Sequence, residues 1–329
     1  MTTQPRHIPV MLERCVDLLT SGGSDGVVID ATLGLGGHAE ALLTRFPNLQ
    51  LAGIDRDENA LALAGERLAS AGERFTPFHT TYDEIDVVAE QMRERTGRPI
   101  LGILMDLGVS SMQLDEESRG FSYARSAPLD MRMDPSAPLT AKQLLAEASV
   151  GELTRILRSY GEEKFANRIA ARIVKQRESG PLTTTDELVE IIYDAIPHSS
   201  RRTGGHPAKR TFQALRIAVN DELVILAEAL PRAIDALDVG GTLVVMSYQS
   251  LEDRIVKQSF AAGATSSAPV DLPVIPEADQ PYLELVTRGA LRASDAEAED
   301  NPRAKPVRLR AARKLRPVPA HRNPARRYS

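Results

Sequence analysis

Cysteine is almost missing from this chain: Cys15 is the single one among 329 residues. That excludes an intramolecular disulfide and any metal site built from several thiolates. Long apolar runs are missing as well. None approaches the roughly 20 residues that span a bilayer, and the first residues, Met1 to Pro9, hold no apolar segment of a secretory signal. The six histidines show no metal-ligand spacing, no Ser–His–Asp arrangement is legible, and no internal repeat is apparent. These absences make the cytoplasm the expected address, with no membrane partner and no metal.

What is present is the composition of a globular protein, 42% hydrophobic and 26% charged. The length suits two domains at roughly 150 residues each. The net charge of −5 is uneven: Asn301 to Ser329 carries ten Lys or Arg and no acid, leaving 30 basic against 45 acidic residues elsewhere. Basic segments on an acidic body can still bind nucleic acid, because phosphate affinity follows local charge. The alternative for the Arg-rich end is a solvated, flexible tail.

The first third alternates buried-strand runs with helical patterns, as in a parallel α/β sheet. Val27-Val28-Ile29, Leu49 to Ile54, Phe75 to Phe78 and Ile100 to Met105 read as four strands. From Asp115 to Pro138 the sequence is irregular, and helices then dominate to about Arg216. Thr140 with Gln143, and Thr184 with Glu187, have the spacing of capping boxes. Phe165, Ile169 and Ile173 share one helical face. The α/β pattern resumes with a helix over Asn220 to Leu237 and a strand over Thr242 to Met246. A linker follows from Ala261 to about Gln280. Tyr282 to Thr287 and Val307 to Ala311 are expected to pair as an antiparallel ribbon, the second by alternation of Val307 and Leu309 with Arg308 and Arg310. The expected organisation is an α/β core over 1–114 and 217–314, a helical insertion over 115–216, and a basic flexible tail over 315–329.

The strand–glycine–helix unit from Val27 to Leu43 is the strongest chemical signal. Glycines after a strand allow a tight turn and close approach of a ligand to a helix N-terminus. Asp55 ends the next strand, 19 residues after Gly36, where a carboxylate can accept both ribose hydroxyls of an adenosine. Gly34-Leu35-Gly36-Gly37-His38-Ala39 also satisfies G-x-G-x-x-A, the dinucleotide fingerprint, so a nicotinamide oxidoreductase competes with a methyltransferase at this point. Tyr82, after the third strand, is placed to stack near an adenine, or simply to pack. Asp106 ends the fourth strand at the carboxyl edge where α/β sheets hold ligands, or else caps a helix. Gln113 follows in the same loop.

Several longer strings are far more specific. They are Asp106-Leu107-Gly108-Val109-Ser110-Ser111, Arg119-Gly120-Phe121-Ser122, Pro128-Leu129-Asp130-Met131-Arg132-Met133-Asp134 and Tyr160-Gly161-Glu162-Glu163. His206-Pro207-Ala208, Arg210-Thr211-Phe212-Gln213-Ala214-Leu215-Arg216, Ser250-Leu251-Glu252-Asp253-Arg254-Ile255-Val256-Lys257 and Asn301-Pro302-Arg303 continue the series. In this order they resemble the bacterial 16S rRNA (cytosine-N4)-methyltransferases, the MraW or RsmH family, from His7 to about Lys314. The resemblance implies a class I (Rossmann-like) S-adenosylmethionine methyltransferase sheet with an all-helical inserted domain. It implies cofactor contacts from Gly36, Gly37, His38, Asp55, Tyr82, Asp106 and Gln113. It also implies a target cytidine in the decoding region of the small ribosomal subunit.

On that resemblance Asp106 is the candidate catalytic group, accepting a hydrogen of the target amine. Two departures matter. Many amino-methyltransferases carry a proline-rich tetrapeptide ending in an aromatic ring after the fourth strand; here Asp106-Leu107-Gly108-Val109 has no ring, leaving Phe121, Tyr123 and Tyr248 as stacking candidates. Family members carry Phe and His within the segment Ser247-Tyr248-Gln249-Ser250, so a histidine base there is not universal. His198 to Arg216 is basic without an acid, and Arg201, Arg202, Lys209 and Arg210 are the candidate RNA contacts. Arg119, Arg125 and Arg132 are further candidates to guide an extruded nucleotide. A non-catalytic ribosome-assembly protein remains an alternative, and a homodimer stays open.

Overall fold

Residues 9–110, 112–113, 116–201, 206–269 and 271–322 are described by the structure, a computed structural model. The chain divides into two compact units, Met1–Gly108 with Leu223–Ser329, and Val109–Glu222.

The first unit is a seven-stranded sheet with helices on both faces. Its strands are β1 (Val27–Asp30), β2 (Gln50–Asp55), β3 (Phe75–His79), β4 (Ile100–Asp106), β5 (Thr242–Ser247), β6 (Leu283–Leu285) and β7 (Arg308–Lys314), in the order β3-β2-β1-β4-β5-β7-β6. The first five are parallel, and β7 runs antiparallel to both β5 and β6. This order with a reversed β7 is the class I methyltransferase sheet. Every residue of β1 and β5 is buried, whereas β3, at an edge, has none. Strands covered on both faces read as unbroken apolar runs, which is why the central ones are legible in the sequence.

Side chains alternate between two apolar layers, as the pleat requires. Val27, Ile29, Ile54, Ile103, Met105 and Val245 join one layer; Val28, Leu51, Leu104, Val244 and Met246 join the other. Around them lie α1 (Leu12–Leu19), α2 (Gly37–Arg45), α3 (Glu58–Arg67) and α4 (Ile85–Thr96). The second unit supplies α5 (Ala141–Glu147), α6 (Val150–Gly161), α7 (Ala166–Ser179), α8 (Thr185–Ala195) and α9 (Lys209–Asn220). The chain continues through α10 (Glu222–Ala236), α11 (Ser250–Ala264) and the short α12 (Asp295–Asp300).

Three local differences from the sequence reading have physical causes. The helix expected from Asn220 begins at Glu222 as α10, because α9 closes on Asp221, which adopts φ 50° and returns its N–H to Ile217. The linker expected from Ala261 starts later, because α11 runs to Ala264 with Val256 and Phe260 buried in the core. The last strand extends to Lys314, whose buried ammonium donates to the carbonyls of Asp235 (2.8 Å) and Leu237 (2.7 Å) at the end of α10. Cations suit that end of a helix, where carbonyls lack intrahelical donors. In β7, Leu309 is buried while Arg310 and Arg308 pair with Asp253 at 2.7 and 3.2 Å.

Of the segment read as a tail, 323–329 lies outside the described residues. Arg322 donates to the carbonyls of Gln280 (3.1 Å) and Thr265 (2.8 Å) and lies 4.7 Å from the Tyr282 ring centroid. Val318 is buried in the core.

The second unit has its own core, with Leu153, Leu157, Ile169, Ile173, Leu188, Ile192 and Leu215 buried and Phe165 packed beside them. Capping boxes start α5 at Thr140 and Gln143 and α8 at Thr184 and Glu187. Asn220 clamps the irregular segment onto α9: its Oδ1 accepts the Met133 N–H at 2.7 Å and its Nδ2 donates to the Met131 carbonyl at 2.7 Å. Among the described residues, no helix is long and apolar enough to cross a membrane.

Candidate active site

The strand order of the first unit reverses between β1 and β4, and ligands of such sheets bind in the crevice outside the carboxyl ends at that point. Three carboxylates end the strands there: Asp30 on β1, Asp55 on β2 and Asp106 on β4.

The glycine turn is built around Asp55. Its Oδ2 accepts the Gly34 N–H at 2.8 Å and its Oδ1 accepts the Asp57 N–H at 2.9 Å, which fixes the carboxylate and leaves further lone pairs. Gly36 precedes α2 with φ 72°, a conformation natural to glycine, and no side chain caps the helix. A Cβ on Gly37 would lie 2.4 Å from Pro9 Cγ, so this glycine permits the N-terminal segment to cross the turn. The buried His38 ring bonds to the same segment, Nε2 to the Val10 carbonyl at 3.0 Å.

Asp30, which the sequence reading passed over, is buried at 1% exposure, and burial pushes its carboxyl up to about 7. The Thr32 N–H, 3.3 Å from Oδ1, works in the opposite direction. Asp106 is likewise pushed up to about 7, first by burial and further by Glu252, against a hydrogen bond from Tyr248 that favours the charged form. That bond runs from the Tyr248 hydroxyl to Oδ1 at 2.8 Å. The Asp106 N–H donates to Thr32 Oγ1 at 2.6 Å, tying the tip of β4 to the loop after β1. Burial also raises Asp55, with the Asp57 and Gly34 N–H groups opposing.

Tyr82 lies in the short turn Tyr82–Glu84 after β3, packed with Phe78 against the apolar layer. Gln113 belongs to the second unit, where its side chain is buried; Oε1 accepts the Ser110 N–H at 3.0 Å and Nε2 donates to the Met133 carbonyl at 3.4 Å. Of the three stacking candidates, Phe121 is in the core of the second unit and Tyr123 stacks on His206 with centroids 4.4 Å apart. Tyr248 is engaged with Asp106 through its hydroxyl.

The candidate RNA contacts fall on the second unit. Lys209 and Arg210 open α9 and are exposed, Arg210 donating to the Glu162 carbonyl at 3.2 Å. Arg201 donates from Nε to the Ile196 carbonyl at 3.0 Å and lies 5.9 Å from the Tyr193 ring centroid. Arg202 lies outside the described residues. Arg119 is buried and donates to the carbonyls of Arg132 (3.0 Å) and Met133 (2.8 Å), while Arg132 forks onto Asp130 at 2.9 and 2.7 Å. Both guanidiniums thus brace the irregular segment. A basic row on α7 escaped the sequence reading: Arg168, Arg172 and Lys175 are exposed at helical spacing, with Lys164 exposed just before the helix. Its signal was available in the spacing alone. Arg172 pairs loosely with Asp194, at 3.5 Å between two exposed side chains.

Known proteins are similar to this chain along nearly its whole length. The family model described as the MraW methylase family matches residues 4–315. A protein of Beutenbergia cavernae named ribosomal RNA small subunit methyltransferase H is 62% identical over 98% of this chain and 96% of its own length. The protein of the same name from Saccharopolyspora erythraea is 58% identical over 96% and 95%. Among solved structures, an rRNA methylase from Streptococcus thermophilus overlays with a TM-score of 0.41 at 13% identity, covering 96% of this chain and 99% of that one. With a family match across nearly its whole length and relatives this similar, the chain belongs to the MraW methylase family.

Proposed function

We propose that this protein transfers a methyl group from S-adenosylmethionine to RNA of the small ribosomal subunit, on the exocyclic N4 amine of a cytidine in the decoding region of 16S rRNA. The observation that carries the reading is the set of carboxylates at the tips of β1, β2 and β4, within a chain of this family.

The residues suit the cofactor. Asp55, with each oxygen already held by one N–H, has lone pairs left for two ribose hydroxyls. Asp30 and Asp106, both raised to about 7 by burial, gain from a neighbouring cation, and the methyl donor is a sulfonium. Bound there, the cofactor supplies an already activated methyl group. The chain's own part is to orient the amine and take up its developing charge. A cytosine N4 amine is a poor nucleophile because its lone pair is delocalised into the ring, and positive charge grows on nitrogen as the new bond forms. Asp106, ionised, accepts one amine hydrogen and stabilises that charge; a placed acceptor of this kind is worth on the order of 10²–10³ in rate. Its backbone is fixed by Thr32 and its side chain by Tyr248. A base edge is reached only in unpaired or extruded RNA. The exposed cations Lys209 and Arg210, the partly exposed Arg201, and the row on α7 suit contact with RNA phosphates. The reading keeps the enzyme in the cytoplasm with its ribosomal substrate.

The test uses labelled S-adenosylmethionine, small subunits lacking the modification, and the Asp106→Asn protein. The parent is expected to produce N4-methylcytidine at one position. The variant is expected to lose roughly a hundredfold or more in kcat while binding the cofactor within a few-fold of the parent. Near-normal transfer by the variant removes the carboxylate role, and label on any other nucleoside removes the target.

A further inference from the structure

We infer that Tyr248 is a positioning residue for methyl transfer: its hydroxyl holds one oxygen of the Asp106 carboxylate and so presents the other, ionised, to the target amine. The inference rests on the role proposed for Asp106.

The geometry is tightly specified. Asp106 and Met246 are partners across the parallel β4–β5 pair, and the Leu107 N–H donates to the Met246 carbonyl at 2.9 Å, so the two strand tips move as one. Past β5 the backbone is pinned by Glu252, itself buried at 2%, whose Oε2 accepts the Tyr248 N–H at 2.9 Å and the Gln249 N–H at 3.3 Å. The Gln249 amide donates to Oε1 of the same carboxylate at 2.9 Å. On the other side, Gly108 has φ 100° and no side chain, and a Cβ there would meet the Tyr248 ring at 3.7 Å. Tyr248 therefore has a fixed stem, a ring against the β4 exit and a hydroxyl 2.8 Å from Asp106 Oδ1.

The chemistry follows from which partner can ionise. Burial and the neighbouring Asp106 raise the phenol far above its ordinary value, so the hydroxyl keeps its proton and donates it to Asp106 whenever the carboxyl is ionised. Its effect on Asp106 is to favour the carboxylate against burial. The titratable groups facing Asp106 are Glu252 beyond β5, Asp30 on β1, Cys15 on α1 and Tyr248 itself. Cys15 is raised well above its usual range and Glu252 and Asp30 add only negative charge, so among these the phenol is the single group that helps Asp106 ionise.

Tyr248→Phe keeps the ring and removes the donor. Its expected signature is a pH profile. With Asp106 near 7 in the parent, a rise of about one unit on losing a charge-assisted bond cuts the ionised fraction at pH 7 about five-fold. For Tyr248→Phe, kcat/KM for S-adenosylmethionine, which reports the groups of the free enzyme, is then about five-fold below the parent at pH 7 and returns to within two-fold at pH 9. A loss equal at both pH values, or a profile superimposable on the parent's, overturns the inference. Asp106→Asn, measured alongside, separates the two levels of the argument. If it abolishes transfer while Tyr248→Phe leaves the profile unmoved, only the positioning role fails; if Asp106→Asn is near normal, the role of Asp106 itself fails.

Discussion

The strand tips of the first unit and the outer faces of the helical unit hold charge in opposite ways. At the tips, Asp30 and Asp106 are carboxylates raised to about 7 by burial. On α7, Arg168, Arg172 and Lys175 are exposed cations in water. A buried charge is expensive until a counter-charge arrives, so it selects a small, close, oppositely charged ligand. Exposed charges are inexpensive to display, act together over a Debye length of about 8–10 Å, and fit a polyanion read loosely through its phosphates. One chain thus carries two electrostatic designs, and under the proposed function each serves a different kind of partner.

Substitutions in the two regions sharpen that contrast. The largest effect is expected from replacing Arg168, Arg172 and Lys175 together by alanine. Affinity for unmodified small subunits should fall roughly thirty- to a hundredfold at low salt, with the slope of log K against log salt shallower by about 2–3. Folding stability should stay within about 0.5 kcal/mol per site, as for ordinary surface changes. A binding titration across salt concentrations, with a denaturation curve for each protein, checks both halves; an unchanged slope would remove α7 from the RNA interface.

Asp30→Asn should act in the reverse sense, smaller on binding and visible in stability. The folded-state value of Asp30 is raised above its unfolded one. Its contribution to stability is therefore complete below about pH 4 and lost as the pH rises through about 7. Asparagine keeps the acceptor for the Thr32 N–H and removes the titration. Without cofactor, the variant is expected to be more stable than the parent at pH 8, by about 1–2 kcal/mol, and to show a flatter dependence between pH 4 and 8. Denaturant unfolding at several pH values decides it; a variant less stable than the parent at pH 8 would mean that Asp30 is not held against its burial.

Much of the sheet was legible because buried parallel strands are short unbroken apolar runs, and β7 because Arg308, Leu309 and Arg310 alternate. Helix α1 was not legible, although Cys15, Val16, Leu18 and Leu19 bury one of its faces, because 8 residues are too few to show a helical period clearly. The link between Gly34 and Asp55 was within reach of sequence reasoning, since a glycine turn and the next strand end are neighbours in every βαβ unit. The bond between Tyr248 and Asp106 was not: the partners stand 142 residues apart, and only the pairing of β4 with β5 joins them. Asp30 was hidden differently, as the last letter of a strand whose other members are apolar. The basic row of α7 was written in plain spacing, yet charges on a helix usually mean only a solvated face, and exposure is what the structure adds. The G-x-G-x-x-A match, which admitted an oxidoreductase, belongs here to a methylase.

The central claim is that carboxylates at the strand tips are matched to a sulfonium. Calorimetry of S-adenosylmethionine and of S-adenosylhomocysteine, which lacks that positive charge, at pH 6 and pH 7.5 tests it most directly. The ratio of the two affinities should favour S-adenosylmethionine more at pH 7.5 than at pH 6, as Asp30 and Asp106 ionise through about 7. A ratio that does not change with pH, or that moves toward the neutral ligand as the pH rises, contradicts the account.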